Sequence, residues 1–522
     1  MQYKGVTFRK QLFYLIIIAS CIRILIAGTT EFGNDEVYYY TYALHLQWNY
    51  FDHPPGVALL IRLTTLNMLL TNELFVRLGS ILCAATGTWL SFKAGTLIRN
   101  ERTGWYAAVL YNTSIYTSII AGTFILPDSP QVVFWLAAMI VLIKMAHQLN
   151  NNKPILIGQW LLFALLTGIC ILCKVHGIFL WFGFISYLLL YKREIFLNPQ
   201  LYIAGLITII VFSPVIWWNI NNHFVTWTYH SNRVAIHNTH INFNSFLQAF
   251  FGQIFYNNPV NVVLIAVAFY SYRTKKFLQQ DIYKLLLFTG LPVIIVVSII
   301  SFFDNVLPHW SGPGFLTLNF IAAAYLDKTN VSIIKFPLAL KTSIAVIFLA
   351  IIAGLGIINF YPGTIGNKDE TKYGSGDFTL DLYGWNDFEH QYNTWLQQQS
   401  NAGYYKHLKF VCNKWFPAAH IEYYVARPIH TNVVGVGNLE DLHNFAWLNK
   451  TVNDLNKGED ALCIIPGNYS TNIEDAYQHQ FPSITKLHRF TVLRNGKTAR
   501  IFTLYLLKNY QPTDEVHTLL IQ

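Results

Sequence analysis

Long runs of hydrophobic residues recur along residues 11–360, and only short polar stretches separate them. Apolar runs that approach roughly 20 residues and carry few charges are typical of membrane-spanning helices. The pattern predicts eleven spans, near residues 11–28, 74–92, 104–122, 130–147, 155–172, 176–191, 201–218, 259–272, 284–302, 312–326 and 340–360.

The pattern changes after residue 361, where the long apolar runs stop and charged residues, Asn, Gln and His become frequent. Runs rich in β-branched residues at 431–436, 461–466 and 500–507 alternate with helical stretches such as 384–399. This mixture favours a small α/β domain. We therefore expect an α-helical polytopic membrane domain over residues 1–360, followed by a soluble α/β domain over residues 361–522.

The first long polar loop covers residues 29–73. Residues 35–46 and 57–70 are amphipathic, and the helix-breaking pair Pro54–Pro55 separates them. Amphipathic segments beside a membrane span commonly lie in the plane of the membrane surface. Two short helices lying along that surface are therefore expected here.

Composition agrees with a membrane protein, since 53% of residues are hydrophobic and only 12% are charged, against roughly 25% charged in soluble proteins. The net charge of +9 might suggest nucleic-acid binding if the basic residues formed one patch. Instead, seventeen lysines and arginines lie at the loops and span ends of one side, and only Arg62, Arg77, Lys174 and Arg233 on the other. Basic residues that flank membrane spans stay in the cytoplasm, so we expect the N-terminus to be cytoplasmic. With eleven spans, an odd number, the domain of residues 361–522 is then expected outside the cytoplasm.

Of the six cysteines, Cys412 and Cys463 lie in the soluble part. An exported domain permits a disulfide between them, whereas buried free thiols are the simpler interpretation. The sequence leaves both alternatives open.

Polar motifs from distant parts of the chain fall at the same side of the membrane in this topology. An ionisable residue at the membrane boundary is costly unless it works or pairs. We regard the following as candidate site residues: Asp35, Glu36, Asp52, His53, Asp128, Lys174, Asn219, His309 and Trp310.

Each candidate also has a purely structural interpretation. Asp35 and Asp128 are suited to capping helix N-termini, and Lys174 is suited to extending from a span end toward water. Two carboxylates and a lysine at one level nevertheless meet a chemical need. Attack of a hydroxyl on an anomeric carbon requires a carboxylate base, and a departing phosphate requires a cation or a metal ion.

The string DEVYYYTYALHLQWNYFDHPPGVALLIRL resembles the first outer loop of bacterial members of the dolichyl-phosphate-mannose protein mannosyltransferase superfamily, to which the lipid A aminoarabinose transferases are related. The resemblance continues, in family order, through LPDSPQVVFWLAA, LTGICILCKVHGIFL, SPVIWWN and VLPHWSGPGF, and it touches the tail at LYGWNDF. Gln131 and Val175 depart from the family's usual leucine and aromatic residue. Both departures lie beside the candidate pocket.

The resemblance implies a GT-C fold and transfer of a sugar from a polyprenyl-phosphate donor, outside the bacterial cytoplasmic membrane, to a glycolipid, glycan or protein hydroxyl. It implies that Asp35 is the catalytic base, with Glu36 and Asp128 orienting it or binding a divalent cation. Lys174, with His53, would bind the donor phosphate. The absence of a Gly-rich nucleotide loop from the sequence agrees with a lipid-borne donor.

Two other classes of function remain alternatives. A transporter or flippase would place polar groups and broken helices near the middle of the membrane, in corresponding halves, whereas the predicted spans show no such halves and, apart from Arg23, carry few charges. The chain could also be a membrane anchor that displays a binding domain, but the clustered carboxylates would then have no function.

Overall fold

The computed structural model describes residues 8–234, 241–330, 335–449, 454–469 and 471–512. The side chain of Arg233, which enters the charge asymmetry above, lies outside this description. The first fifteen helices, up to residue 360, are α1 Phe8–Thr29, α2 Asn34–Leu44, α3 Gly56–Thr64, α4 Glu73–Ile98, α5 Glu101–Thr113, α6 Asp128–Asn150, α7 Ile157–Cys173, α8 Ile178–Tyr191, α9 Pro199–Asn221, α10 Val225–Val234, α11 Phe243–Tyr256, α12 Pro259–Tyr272, α13 Gln280–Ile300, α14 Gly312–Thr329 and α15 Leu338–Phe360.

A helix overlaps each of the eleven predicted spans. Within the described ranges, six helices are long and apolar enough to cross a membrane, or up to seven if the bent pair α11 and α12 counts as one span. That pair bends by 93°, and α7 and α8 are apolar but shorter than a full crossing. The chain is thus a polytopic helical membrane protein, and the count of eleven spans stays a prediction.

The chain forms two compact units, and the division is discontinuous. The membrane unit comprises Met1–Ala27 and Gln47–Ile351, and the C-terminal unit comprises Gly28–Leu46 and Ile352–Gln522. The sequence predicted one boundary near residue 361. It did not predict that the segment after α1 belongs with the end of the chain.

Small residues bring helices of the membrane unit close together. A Cβ atom added at Gly95 would lie 2.8 Å from the Cα of Gly104, and one added at Gly314 would lie 2.5 Å from the Gly290 carbonyl oxygen. Such contacts hold α4 against α5 and α13 against α14. Close backbone approach through small residues is how membrane helices gain packing energy where lipid is as apolar as protein.

The C-terminal unit contains one five-stranded sheet with the order β2-β1-β3-β5-β4. Its strands are β1 Lys409–Cys412, β2 Val433–Gly435, β3 Ala461–Pro466, β4 Ser483–Arg494 and β5 Lys497–Lys508. Its further helices are α16 Trp385–Gln398, α17 Ala402–His407, α18 Trp415–Ile421, α19 Leu439–Leu442, α20 Phe445–Leu448 and α21 Ile473–Tyr477. The first three strands in this order pair in parallel, and the last two join by antiparallel pairing.

The predicted α/β character of the tail is confirmed. The β-branched runs form β2, β3 and β5, and the helical stretch forms α16. Strands β4 and β5 are joined by Asn495 and Gly496, both with positive φ, which is the preferred chemistry of a two-residue hairpin turn. Cys412 and Cys463 are buried free thiols.

Helix α2 differs from the surface-lying helix that its pattern predicted. Every residue from Glu36 to Ala43 is buried. Its tyrosines contact other residues of the C-terminal unit. The ring of Tyr38 lies 4.7 Å from that of Trp415, and the ring of Tyr40 lies 4.9 Å from that of Tyr423. Tyrosine carries an apolar ring and a polar hydroxyl, so a run of tyrosines looks amphipathic in sequence although it packs on several sides.

Candidate active site

Asp128 is the first residue of α6, and the chain around it is rigid. The Ser129 hydroxyl donates to the Phe124 carbonyl at 3.1 Å, and the backbone N–H of Ser129 donates to the Leu126 carbonyl at 2.9 Å. Pro127 and Pro130 flank the helix start, where a missing N–H costs little. These constraints fix the direction of the Asp128 side chain at the end of the span.

Lys174 follows α7 in extended conformation and precedes a tight turn at Val175–Gly177. A Cβ atom at Gly177 would lie 2.7 Å from the backbone nitrogen of Ile171, so only glycine permits the chain to fold back this closely. The Lys174 Nζ lies 2.7 Å from Asp128 Oδ2, and both side chains are almost completely buried. Lys174 is therefore not a span-end lysine that extends into water.

The second carboxylate oxygen of Asp128 accepts a hydrogen bond from Tyr116, a residue that the sequence analysis missed. The Tyr116 hydroxyl lies 3.0 Å from Asp128 Oδ1. A Cβ atom at Gly312 would lie 2.4 Å from a carbon of the Tyr116 ring, so α14 begins with glycine where this ring passes. Tyr116 is one of 31 tyrosines, and nothing in its sequence context distinguishes it.

Histidines surround this ion pair. His53 and His309 were sequence candidates, and the structure adds His176 and His230. His53, His176 and His309 all lie close enough to Lys174 and Asp128 to interact with their charges. The rings of His53 and His230 lie 6.1 Å apart.

The two loop histidines among them are neutral at physiological pH. Burial and, to a smaller extent, the ammonium of Lys174 lower the pKa of His309 to about 4, against the opposing effect of Asp128. Burial likewise holds the pKa of His53 well below its ordinary value, with Lys174 and then His230 adding to the effect. The ammonium of Lys174 therefore stands beside neutral rings.

The remaining candidates in the membrane unit are Asp52, Trp310 and Asn219. The Asp52 carbonyl accepts a hydrogen bond from His230 Nε2 at 2.7 Å, which ties the first loop to α10. The ring of Trp310 lies 6.2 Å from that of His176. Asn219 is buried and donates within its own helix, to the Val215 carbonyl at 3.0 Å.

Asp35 and Glu36 belong to the C-terminal unit, in the first turn of α2. The two neighbouring carboxylates have different surroundings. Glu36 is buried, and its Oε2 accepts the Gly33 backbone N–H at 3.0 Å, which closes the start of the helix. Asp35 is exposed. Glu36 therefore caps the start of α2.

A divalent cation at Asp35, Glu36 and Asp128 was one sequence-based prediction. Across the ranges that the structure describes, no group of three or more His, Cys, Asp or Glu side chains is placed to hold a metal ion. The donor sets present do not fit a metal, so no chemical step is assigned to one.

Comparison with known proteins gives one family match. Residues 52–218 match the dolichyl-phosphate-mannose-protein mannosyltransferase family. The match includes Asp52, His53, Asp128 and Lys174.

A curated relative is the lipid A galacturonosyltransferase RgtD of Rhizobium johnstonii. It is 22% identical over 319 residues, which cover 61% of this chain and 64% of that protein. The chain thus spans less than two thirds of the length of the curated relative that it matches.

Two solved structures share the fold over nearly the whole chain, both of ArnT from Cupriavidus metallidurans. The structure bound to undecaprenyl phosphate has a TM-score of 0.62 at 12% identity and covers 95% of this chain and 98% of that chain. The apo structure has a TM-score of 0.61 at 12% identity, with the same coverage.

Proposed function

We propose that this chain, whose residues 52–218 match the dolichyl-phosphate-mannose-protein mannosyltransferase family and which has the GT-C fold, is an integral membrane glycosyltransferase. It transfers a sugar from a polyprenyl-phosphate donor to an acceptor hydroxyl. The observation that carries this proposal is the buried pair of Lys174 and Asp128 among histidines. A cation in such surroundings suits an anionic phosphate group.

Lys174 has donors available for a phosphate even while it is paired. An ammonium group has three N–H donors, and Asp128 takes one of them at 2.7 Å. Since His53 and His309 are neutral, Lys174 supplies the positive charge at this position. Lys174 therefore binds the donor phosphate and stabilises the negative charge that this group gains as it departs.

Asp128 holds Lys174 in position rather than acting on the substrate. Its Oδ2 contacts Lys174, and its Oδ1 accepts from Tyr116. With both oxygens engaged, the carboxylate orients the ammonium in a buried site, where a fixed charge has more effect than in water.

Asp35 is the general base in this proposal. It is exposed, so a substrate hydroxyl can reach it, whereas Glu36 is buried. In the reaction, the acceptor oxygen attacks the anomeric carbon and the bond from that carbon to the phosphate oxygen breaks. Asp35 takes the hydroxyl proton, and polyprenyl phosphate departs with the bonding electron pair.

The partners follow from this chemistry and from the relatives. Undecaprenyl phosphate, present in one ArnT structure, is the lipid of the proposed donor. Lipid A, on which RgtD acts by its description, is the first acceptor to test. The membrane is the bacterial cytoplasmic membrane, with the reaction on its outer face.

A reconstitution experiment tests the proposal. Purified protein in liposomes is mixed with undecaprenyl-phosphate sugars and lipid A, and the products are analysed by mass spectrometry. We expect sugar-modified acceptor and released undecaprenyl phosphate, with both absent from the Asp35→Asn protein. Movement of donor between leaflets without any product would indicate a flippase instead, and binding without either would indicate a non-catalytic protein.

A further inference from the structure

Arg23 is a charged residue inside the apolar helix α1, and the proposed function gives it no role. Its side chain is buried, with 1% of its surface exposed. A charge within a membrane span is costly and is usually retained for a task. In the described part of the chain, the hydrogen bonds of Arg23 go to two uncharged acceptors, the Ser118 carbonyl and the Asn112 side chain.

The first acceptor belongs to a π-helical turn, Tyr116–Ile120, that follows α5. The Ser118 carbonyl receives Arg23 Nε at 3.2 Å and the Thr123 hydroxyl at 2.9 Å. A π-turn carries one residue more than an α-turn and leaves backbone groups without their regular partners. Arg23 supplies a partner to one of these carbonyls.

The second acceptor anchors the same guanidinium to α5. Asn112 Oδ1 accepts from Arg23 at 3.0 Å, and its Nδ2 donates to the Thr88 hydroxyl at 3.0 Å and to the Ala108 carbonyl at 2.8 Å. Arg23 therefore bridges the end of α5 and the π-turn beyond it. A Cβ atom at Gly122 would lie 3.0 Å from Arg23 Nε, so the following segment closes over the guanidinium.

The residue that begins this π-turn is Tyr116, whose hydroxyl donates to Asp128. We propose that Arg23 is a positioning residue: it holds the π-turn in the form that directs Tyr116 onto Asp128, and through Asp128 it orients Lys174. This role rests on the proposed function, because it concerns the same phosphate-binding lysine. Loss of the extra residue of the π-turn would rotate Tyr116 by about 100° around the helix, the angle per residue of an α-helix.

The test compares four single variants with the parent, together with Asp128→Asn as a reference and the double variant Arg23→Met/Tyr116→Phe. Arg23→Met removes the guanidinium, Arg23→Lys retains a charge and one donor, and Tyr116→Phe removes the final hydrogen bond. The control is Arg102→Met. Arg102 is also a buried arginine, but it pairs with Asp327, which keeps Arg99 at 2.6 Å when Arg102 is lost.

The first readout does not depend on sugar transfer. Fluorine-labelled tyrosine at position 116 reports the hydrogen bond to Asp128 through its ¹⁹F resonance. We expect Arg23→Met to move this resonance in the same direction as Asp128→Asn, Arg23→Lys to move it less, and Arg102→Met to leave it in place. An unmoved resonance in the Arg23→Met protein would overturn the proposal.

The second readout is a double-mutant cycle on turnover. We expect Arg23→Met and Tyr116→Phe each to lower kcat about tenfold or more, the loss expected for one hydrogen bond to a charged group. Combined, they should lower it no further than the stronger single change. If the two losses of kcat instead multiplied in the double variant, Arg23 would not act through the hydroxyl of Tyr116. If the parent transfers no sugar, the proposed function fails, and the ¹⁹F resonance still decides the role of Arg23.

Discussion

At the scale of single residues, the membrane unit has a buried ion pair whose presence is better explained by function than by stability. Removing Lys174 and Asp128 from water is expensive, and a well-packed apolar pair in the same place is often as stable or more so. Breaking such a pair from one side is different, because the remaining charge stays buried without compensation. If the pair were only structural, an apolar pair could therefore replace both residues without loss of activity, whereas a functional pair could not be replaced in this way.

We expect Lys174→Met and Asp128→Leu each to destabilise the folded protein by about 3–5 kcal/mol and to lower transfer by at least about tenfold. The double variant should recover most of the stability but none of the activity. Thermal unfolding and transfer assays on the same preparations measure both. The control is Lys192→Met, since its pair with Asp281 is longer at 3.5 Å and partly exposed, so its loss should cost under about 1 kcal/mol. Full activity in the stable double variant would reduce the pair to a structural feature.

We expect Asp35→Asn to abolish nearly all transfer while binding of undecaprenyl phosphate persists, because a positioned base contributes about 10²–10⁴-fold. Glu36→Gln should retain more activity, since an amide oxygen still accepts the Gly33 N–H that Glu36 accepts at 3.0 Å. Single-turnover kinetics and a lipid-binding assay test this pair of variants. If Asp35→Asn keeps more than about a tenth of the turnover, the base is another residue.

At the scale of elements, the environment of Lys174 depends on how closely α3 approaches the end of α7. A Cβ atom at Gly56 would lie 2.7 Å from the Cα of Cys173, the residue before Lys174. We expect Gly56→Ala to destabilise the protein by about 1–3 kcal/mol through overpacking and to reduce activity because the lysine shifts. Gly205→Ala, in α9 with nothing within 4 Å of its added Cβ, is the matched control and should be neutral or slightly stabilising. Equal behaviour of the two variants in unfolding and transfer assays would contradict this.

A second element-scale prediction concerns pH and the π-turn Glu422–Ala426 of the C-terminal unit. Burial raises the pKa of Glu422 to about 7, although its carboxylate accepts the Val433 N–H at 3.1 Å. The folded protein therefore binds a proton that the unfolded chain releases above its ordinary pKa of about 4.5. The resulting stability is present below about pH 4.5 and is lost as pH rises to about 7.

As pH rises from 4.5 to 7.5, Glu422→Gln should accordingly gain stability relative to the parent, because it lacks the contribution that the parent loses. Glu31, whose pKa burial also raises to about 7, adds a contribution of the same sign, whereas His53 and His309, whose pKa values burial lowers, add one of the opposite sign. Glu474→Gln, at an exposed position of α21, should leave the dependence unchanged. If the difference in the free energy of unfolding between Glu422→Gln and the parent did not change with pH, the raised pKa of Glu422 would be refuted.

The elements also show what sequence reasoning could reach. Hydrophobic runs and β-branched runs predicted most helices and three strands, because burial imposes those patterns locally. Asp128 and Lys174 stood out because they belong to polar motifs that the predicted topology brings to the same side of the membrane. Tyr116 and His176 did not, since their roles come from a π-turn and from a neighbouring ion pair that no local pattern encodes. The placement of Gly28–Leu46 with the C-terminal unit depends on contacts hundreds of residues apart.

At the scale of the whole molecule, orientation in the membrane remains a prediction from the distribution of basic residues. We expect the exposed position 401, as Asn401→Cys in a cysteine-depleted background, to react with a membrane-impermeant reagent on intact cells. The matched position is Lys275→Cys, exposed in the loop after α12 and predicted to be cytoplasmic, which should react only after lysis. The reverse pattern would invert the topology and place the proposed reaction on the wrong side.

The discontinuous C-terminal unit has a consequence for biosynthesis. Tyr38 and Trp415, whose rings lie 4.7 Å apart, leave the ribosome far apart in time. At about 5–20 residues per second, their separation corresponds to roughly 20–75 s of translation. Throughout that delay the segment bearing Asp35 is already made, while helix α18, against which α2 packs, does not yet exist. A chain truncated before Trp415 therefore cannot complete this unit, even though all of its membrane helices have been synthesised.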